Sequence, residues 1–165
     1  MIKLTEQYVT TEAEKKAQDF ISKVDKNQIR KFYDDFKLIE RKITENHQAT
    51  NESPFLALTP DFSPTGKITE NHQATNEWFK KEILPHIKFV KSKIAYSAGR
   101  KSGNKSLVSI EFKKYMDEQI NLIENISDFK HFMMHYQAII AYYTYYSEVG
   151  SLDASNKNFQ QHRSR

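Results

Sequence analysis

The sequence predicts an all-α protein, a compact bundle of about five helices with a long inserted loop between the second and the third helix. Only four glycines and four prolines interrupt its 165 residues, and three of the prolines fall between positions 54 and 64. Elsewhere, apolar residues recur every three or four positions, which is the period of a helix. A chain of this length can bury roughly 70% of its unfolded surface in one core, so we expect a single domain over residues 1–150.

The first two helices follow from a start signal and an apolar stripe. Thr11 followed by Glu14 matches a capping box, which predicts a first helix from Thr11 to about Val24. The segment "NQIRKFYDDFKLIERKI" comes next, and its apolar residues would share one side of a second helix. These residues are Ile29, Phe32, Phe36, Ile39 and Ile43.

The third helix is predicted in "WFKKEILPHIKFVKSKIAYSAG", where Pro85 should kink the helix or mark a fresh start. Gly99 stands where this helix would end, because glycine takes the left-handed conformation of a C-cap at little cost. The predicted buried stripe comprises Phe79, Ile83, Ile87, Val90 and Ile94.

Two further helices complete the predicted bundle. The fourth covers roughly Val108 to Ile126, and Ser127 is expected to cap the fifth, "DFKHFMMHYQAIIAYYTYYS". The stripe of the fifth helix comprises Phe129, Phe132, Tyr136, Ile139, Ile140 and Tyr143. Residues 151–165 are polar and unperiodic, which predicts a mobile tail.

An identical repeat marks the region between the second and third helices. The segment "KITENHQATNE" occurs at 42–52 and again, unchanged, at 67–77. Two copies do not make a solenoid, which needs about three repeats to bury a continuous core. The identity of the copies fits a recent duplication or an artefact of cloning or sequence assembly. We interpret residues 44–77 as a duplicated surface loop that carries no activity.

Composition excludes several classes of protein and favours none strongly. Without cysteine there is neither a disulfide framework nor a thiolate metal site, and no apolar run approaches the ~20 residues that span a bilayer. The first residues, "MIKLTEQYVT", lack the apolar core of a signal peptide, so we expect a soluble cytoplasmic protein with no membrane partner. The net charge of +4 favours polyanionic partners only weakly.

The stretch "SKIAYSAGRKSGNKS" comes close to a phosphate-binding loop. Its glycine spacing is one residue short, Asn104 separates Gly103 from Lys105, and a helix rather than a strand precedes it. We therefore do not expect nucleotide hydrolysis. One alternative is a helix C-cap with Arg100 near the negative end of the helix dipole, followed by a solvated loop.

The end of the third helix nevertheless predicts RNA binding. Phe89, Lys93, Tyr96 and Arg100 fall within about 60° of one another on a face separate from the buried stripe. Cations neutralise phosphates and aromatic rings stack on exposed bases, so this combination suits RNA. Lys101 and Lys105 follow in the loop as further phosphate-facing candidates, and Tyr96 is a packing or stacking neighbour.

The second helix offers a weaker basic patch. Arg30, Lys37 and Arg41 line up opposite its apolar stripe and are candidate phosphate contacts. Asp34 lies among them, so an ordinary solvated face explains this helix equally well on local grounds.

Two features of the fifth helix have alternative interpretations. His131 and His135 have the spacing of zinc-peptidase ligands, but no glutamate lies between them and no third ligand suggests itself. A surface or interface pair is therefore favoured, and no metal or other cofactor is expected. Ala138, Tyr142 and Tyr145 point away from the stripe, which would form an apolar patch that meets another protein chain.

Four ordered segments resemble one protein family, the small subunit of type III-A CRISPR interference complexes, the Csm effector. They are "EQYVTTEAEKKA", "NQIRKFYDDF", "KIAYSAGR" and "YQAIIAYYTYYS". The resemblance implies a helical bundle without catalytic activity that stacks in several copies beside the backbone subunits. It also implies that the chain helps to hold the duplex of guide RNA and target RNA. The inserted loop departs from the family pattern.

The predicted function is that of a non-catalytic RNA-binding subunit whose partners are guide RNA, target RNA, the other subunits and further copies of itself. The alternative is a purely structural helical adaptor that binds proteins through the fifth helix and does not contact nucleic acid.

Overall fold

The computed structural model describes residues 2–49, 75–102 and 105–163. The helices are α1 (Glu6–Val9), α2 (Thr11–Phe20), α3 (Lys26–Ala49), α4 (Leu84–Gly99), α5 (Ile110–Asn121) and α6 (Ile126–Arg163). A π-helix (Phe79–Ile83) precedes α4, and the strands β1 (Lys101–Ser102) and β2 (Lys105–Ser106) form a small antiparallel ladder after it. The predicted all-α class is confirmed, and the two-residue strands are a local addition to it.

The core consists of the stripes that the sequence predicted. All five stripe residues of α3 are buried, as are those predicted for the third helix. The stripe of α6 is buried as well, except that Ile140 is half-buried against the core. Phe36 of α3 packs edge-on against Phe132 of α6, with 4.9 Å between ring centroids. The spacing of apolar residues along the sequence therefore predicted correctly which face of each long helix is buried.

The segment before Pro85 is π-helical. Leu84 donates its N–H to the carbonyl of Phe79, five residues back, and Pro85 lies in the first turn of α4. A proline has no N–H to donate, so the wider turn accommodates the gap in the hydrogen-bond ladder. The predicted fresh start at Pro85 is confirmed.

Several predicted helix ends are wrong in detail; the fourth predicted helix, for example, runs from Ile110 to Asn121 and not from Val108 to Ile126. The first predicted helix is two helices: Thr5 caps α1 by accepting from the Tyr8 N–H at 3.1 Å, and α2 begins at Thr11 without a side-chain cap and ends before Val24. Gly99 is the last residue of α4 and does not adopt the left-handed conformation. Arg100 follows it as an extended C-cap residue with φ −81°.

The cap of α6 is also not the predicted one. Asn125, rather than Ser127, accepts the backbone N–H of Asp128, at 2.9 Å. The buried carboxylate of Asp128 accepts in return from the Asn125 side chain and from the backbone N–H of Glu124. This reciprocal arrangement satisfies free donors at the start of the helix.

The predicted insert and tail overlap with helices. Residues 44–49 extend α3 and residues 75–78 are helical, while 50–74, most of the predicted loop at 44–77, lie outside the described residues. The backbone of α6 continues through 151–163, where the sequence predicts a mobile tail. The mobility of that segment stays a prediction.

The N-terminal segment is fastened to α6 by polar contacts, which we call the N-terminal clamp. The Ile2 N–H donates to Asp128 at 2.7 Å, and the Ile2 carbonyl accepts from His131 Nδ1 at 2.9 Å. His135 Nδ1 donates to the Tyr8 carbonyl, and the two rings stack with 3.8 Å between centroids.

Candidate nucleic-acid interface

Helix α3 lies between the two groups of basic residues that the sequence predicted. Arg30, Lys37 and Arg41 fall within about 40° of one another around its axis. Asp35 lies roughly 140° away from Arg30 on the same scale and pairs with Lys93 of α4. Lys37 and Arg41 instead line a cleft with residues of α6. The two groups therefore lie on opposite flanks of α3 and do not form one patch.

The α3–α4 cleft has a volume of about 400 Å³ and is lined in part by Asp35, Phe89, Lys93, Tyr96 and Arg100. Phe89 and Tyr96 leave 60% and 67% of their surfaces exposed. The guanidinium carbon of Arg100 lies 5.7 Å from the centroid of the Tyr96 ring. Exposed rings beside cations are what the stacking and neutralisation of RNA require. The predicted face of the third helix is thus assembled as one surface.

Lys93 is not a free cation in this cleft. Its Nζ lies 2.6 Å from Asp35 Oδ1. The other oxygen, Oδ2, is buried and has no hydrogen-bond partner in the described residues. A carboxylate oxygen that has lost water without gaining a donor is energetically costly.

The loop after α4 carries the remaining two candidates of this group. Lys101 is exposed in β1, and Lys105 stands in β2, opposite Ser102 in the ladder. The side chain of Lys105 lies outside the described residues. The Ser106 hydroxyl fastens the hairpin to the end of α4 by donating to the Ala98 carbonyl at 2.7 Å.

The α3–α6 cleft, of about 490 Å³, contains two residues of the other group, Lys37 and Arg41. Lys37, Arg41 and Lys130 all line it, together with the single acid Glu40. Lys37 Nζ pairs with Glu40 at 2.6 Å and lies 5.6 Å from the centroid of the Tyr33 ring. The hydrogen bond to Glu40 raises the pKa of Lys37. Three cations against one carboxylate leave an excess positive charge here.

Arg30 lies outside both clefts. Lys26 pairs with Glu148 at 2.5 Å, and the hydrogen bond from Lys26, with Arg30 acting at longer range, lowers the pKa of the Glu148 carboxyl. The charge of Arg30 is therefore partly balanced by an acid of α6. Of the predicted basic residues in α3, only Lys37 and Arg41 are brought together by a cleft.

Two cleft-lining cations were missed at the sequence level. Lys130 reaches the α3–α6 cleft from α6, and Lys31 lines the α3–α4 cleft. Lys130 lies in a segment dominated by its apolar stripe, and no local pattern pairs it with Arg41, almost ninety positions earlier. Only the packing of α3 on α6 makes them neighbours.

The histidine pair is occupied by structural contacts. His135 is buried, and its Nε2 accepts from the Tyr115 hydroxyl at 2.5 Å. Burial lowers the pKa of His135 to about 4, so the ring is neutral. Among the described residues, no group of three or more acidic or histidine side chains is placed to hold a metal ion.

The predicted apolar patch on α6 is partly exposed. Tyr145 leaves 58% of its surface exposed, whereas Ala138 and Tyr142 are half-buried against the core. Met134, one helical turn before Ala138, is also exposed. Within the described residues, no helix combines the length and apolarity needed to cross a membrane.

Comparison with known proteins gives one match. A family model described as Csm2 Type III-A matches residues 3–149, a range that includes both clefts and most of the clamp. No curated protein and no solved structure matches the chain.

Proposed function

This chain belongs to the Csm2 Type III-A family and is thus a subunit of a type III-A CRISPR effector, and from this premise we propose that it is the non-catalytic small subunit that binds the duplex of guide RNA and target RNA. It does so through phosphate contacts and serves antiviral defence in the cytoplasm. Its further partners are the other subunits of the effector and additional copies of itself, beside which it stacks.

One observation carries the proposal: the exposed cations and rings gathered along α4. Lys93, Arg100 and Lys101 lie on the surface near Phe89 and Tyr96. Phosphate contacts supply most of the affinity of a sequence-independent RNA binder. Exposed rings add to it by stacking on bases of any identity, because every base has an aromatic face. A subunit that holds any guide paired with any target needs this kind of interface.

The α3–α6 cleft supports a second point of contact. Lys37, Arg41 and Lys130 converge on one depression with an excess of positive charge. A depression lined by one sign of charge attracts the opposite sign more strongly than a flat surface does. We assign this cleft to a backbone phosphate and the α3–α4 cleft to a second segment of the RNA.

The alternative is a structural adaptor that contacts only proteins. Exposed Tyr145 and Met134 on α6 favour such a surface, because aromatic residues and methionine are enriched in protein interfaces. One subunit can bind both RNA and other proteins, so the two functions are compatible. A subunit that bound only proteins would leave the cations of the two clefts without a ligand.

The test replaces Lys93, Arg100 and Lys101 by alanine in the assembled effector and measures RNA affinity across a series of salt concentrations. We expect weaker binding, to a similar degree for unrelated guides, because phosphate contacts carry little sequence information. The slope of log affinity against log salt should become shallower by up to about one for each phosphate that is no longer neutralised.

A matched control removes the same number of charges elsewhere. Lys15, Lys23 and Lys114 are exposed and line neither cleft. Their replacement by alanine should leave the salt slope nearly unchanged. Equal effects of the two triple variants, or no effect of the first, would favour the adaptor.

A further inference from the structure

We propose that α6 pairs with α6 of a second copy of this chain, in antiparallel orientation, to form a symmetric dimer. The two-fold axis passes close to position 139, midway along the solvent-facing side of the helix. This pairing concerns the chain outside the effector and goes beyond the proposed RNA binding.

One strip of α6 faces solvent over about five turns. Between positions 130 and 148 it contains every exposed side chain of the helix, and we call it the exposed strip. These positions recur every three or four residues and fall within about 80° of one another around the axis. The members are Lys130, Met134, Gln137, Ala141, Tyr145 and Glu148.

The exposed strip is charged only at its two ends. Residues 131–147 contain no Asp, Glu, Lys or Arg, although the solvent face of a helix normally carries charged side chains. Met134 and Tyr145 leave 50% and 58% of their surfaces exposed. Few charges together with Met and Tyr are typical of the buried centre of a protein interface. The strip therefore has the composition of an interface, bordered by Lys130 at one end and Glu148 at the other.

The exposed strip is complementary to itself when it is reversed. A two-fold axis across two antiparallel helices places each residue against the one at the same distance beyond the axis on the second copy. The pairs that result are Lys130 with Glu148, Met134 with Tyr145, and Gln137 with Ala141, each centred within half a residue of position 139. One axis thus forms all three pairs, twice each, in the same dimer.

The terminal charges select the antiparallel orientation. In an antiparallel pair, Lys130 of each chain meets Glu148 of the other. In a parallel pair, each would lie against its own counterpart, and like charges at this separation repel. Glu148 already pairs with Lys26 at 2.5 Å. A carboxylate has about four lone-pair sites, so it can accept from a second ammonium as well.

Between the charges, the paired side chains match in size and chemistry. Ala141 has only a methyl group, so the two helices can approach closely near the axis, where it meets Gln137. Met134 then lies against Tyr145 of the second copy, a thioether–aromatic contact that is favourable in proteins. The Tyr145 ring already lies edge-on against Tyr146, with 5.1 Å between centroids. Pairing therefore has less side-chain freedom to remove at this position.

This pair differs from the stacking of copies in the proposed function. A two-fold interface uses the same surface on both chains and closes at two copies, whereas a stacked row needs two different surfaces. Lys130 also lines the α3–α6 cleft, so Glu148 of the second copy and an RNA phosphate would compete for its ammonium. The dimer is therefore a state of the free chain, and a phosphate bound in that cleft would weaken it.

The first experiment measures the mass of the full chain by sedimentation equilibrium over a series of concentrations. We expect a reversible dimer with a Kd of roughly 1–100 μM, because one helix pair is smaller than a standard interface. Lys130→Glu should weaken the dimer by about tenfold or more, since like charges then meet at both ends. Lys114→Glu makes the same charge change on the exposed surface of α5 and should leave the Kd unchanged. A chain that stays monomeric at about 1 mM would overturn the proposal, as would equal effects of the two variants.

The second experiment mixes two charge variants. Lys130→Glu and Glu148→Lys each place like charges at both ends of their own dimers, so each alone should be mainly monomeric. In the mixed dimer the charges are again opposite at both ends, and we expect heterodimers with close to the wild-type affinity. Misfolding of either variant could not produce such a recovery. Two folded variants that stay monomeric when mixed would refute the proposed pairing.

The third experiment tests the register without changing any charge. The chain has no cysteine, so Gln137→Cys and Ala141→Cys each introduce a single thiol. A disulfide joins Cα atoms about 4.4–6.8 Å apart, and like positions of an antiparallel pair are offset by about 6 Å along the axis. We expect cross-linked dimers when the two variants are mixed and oxidised, and far fewer from either variant alone. Cross-linking that is as strong in either variant alone would rule out the antiparallel register.

Discussion

Helix α6 holds two parts of the chain by different means. Against α3 it forms an apolar seam, in which Phe36 lies between Phe132 and Tyr136 with centroid distances of 4.9 and 6.1 Å. Against the N-terminal segment it forms the polar clamp, in which Asp128 and His135 bond to the backbone of Ile2 and Tyr8. Apolar contact is not directional and depends on area. The clamp works only if each buried polar atom meets its partner.

The two attachments also differ in their relation to function. The α3–α6 cleft lies along this seam, so the seam fixes the position of Lys37 and Arg41 relative to Lys130. None of the clamp side chains lines either cleft. Substitutions in the seam should therefore lower both stability and RNA affinity, whereas substitutions in the clamp should lower stability alone.

The largest effect should come from Phe36→Ala, which empties the centre of the seam. Phe36 is fully buried, and removing such a ring typically lowers the free energy of unfolding by about 3–5 kcal/mol because a cavity remains. Urea denaturation measures this decrease. The milder Phe36→Leu should destabilise the protein less and fold well enough for its RNA affinity to be measured in the effector.

The control for the seam is Leu38→Ala on the same helix. Leu38 leaves 55% of its surface exposed, so its replacement should change stability by no more than about 0.5 kcal/mol. Comparable destabilisation by Phe36→Ala and Leu38→Ala would mean that the seam does not hold α3 in place.

The clamp should make stability depend on pH. Burial lowers the pKa of His135 to about 4 from its ordinary 6.5, and the nearby Lys16 adds to this effect. Between pH 4 and pH 6.5, His135 is protonated in the unfolded chain and neutral in the folded chain. Stability is thus complete above pH 6.5 and decreases as the pH falls toward 4, by up to roughly 3 kcal/mol. Melting curves across this range measure the decrease.

The variant His135→Gln isolates this contribution. It does not titrate, so subtracting its stability from that of the wild type should leave a difference that shrinks as the pH falls from 6.5. RNA affinity of the effector at neutral pH should be the same for both proteins. A pH-independent difference would show that His135 has the same pKa in the folded and the unfolded chain. A drop in affinity would link the clamp to the clefts.

The seam belongs to the part of the fold that could be predicted from the sequence. The stripe of α3 was predicted residue by residue, because burial of an apolar face depends on periodicity within one segment. The same holds for the exposed face of α4, where Phe89 and Tyr96 stand clear of the stripe. Such features depend on the pattern within one segment, so they can be predicted without knowing which helix packs against it.

Polar pairing, in contrast, depends on partners that are distant in the chain. Ile2 meets Asp128 across 126 positions, and Lys93 meets Asp35 across 58. No local spacing signals either contact. The capping residues were mispredicted for a related reason, since several nearby serines, threonines and asparagines could each have served and tertiary packing decided among them. Lys130 was missed because its cleft exists only after α3 and α6 have packed.

Apart from the Leu38→Ala control, the smallest effect should come from Gly99, at the end of α4, where the sequence predicted a left-handed backbone that the structure does not contain. Gly99 is helical, and a Cβ added to it would meet nothing within 4 Å. Alanine loses less backbone entropy on folding than glycine, so Gly99→Ala should stabilise the fold by about 0.5–1 kcal/mol, seen as a higher midpoint of thermal unfolding. If Gly99 were left-handed, the same change would destabilise the protein, so the sign decides. Arg100 follows Gly99 directly and lines the α3–α4 cleft. Since the substitution should leave Arg100 in its place, the RNA affinity of the effector should be unchanged.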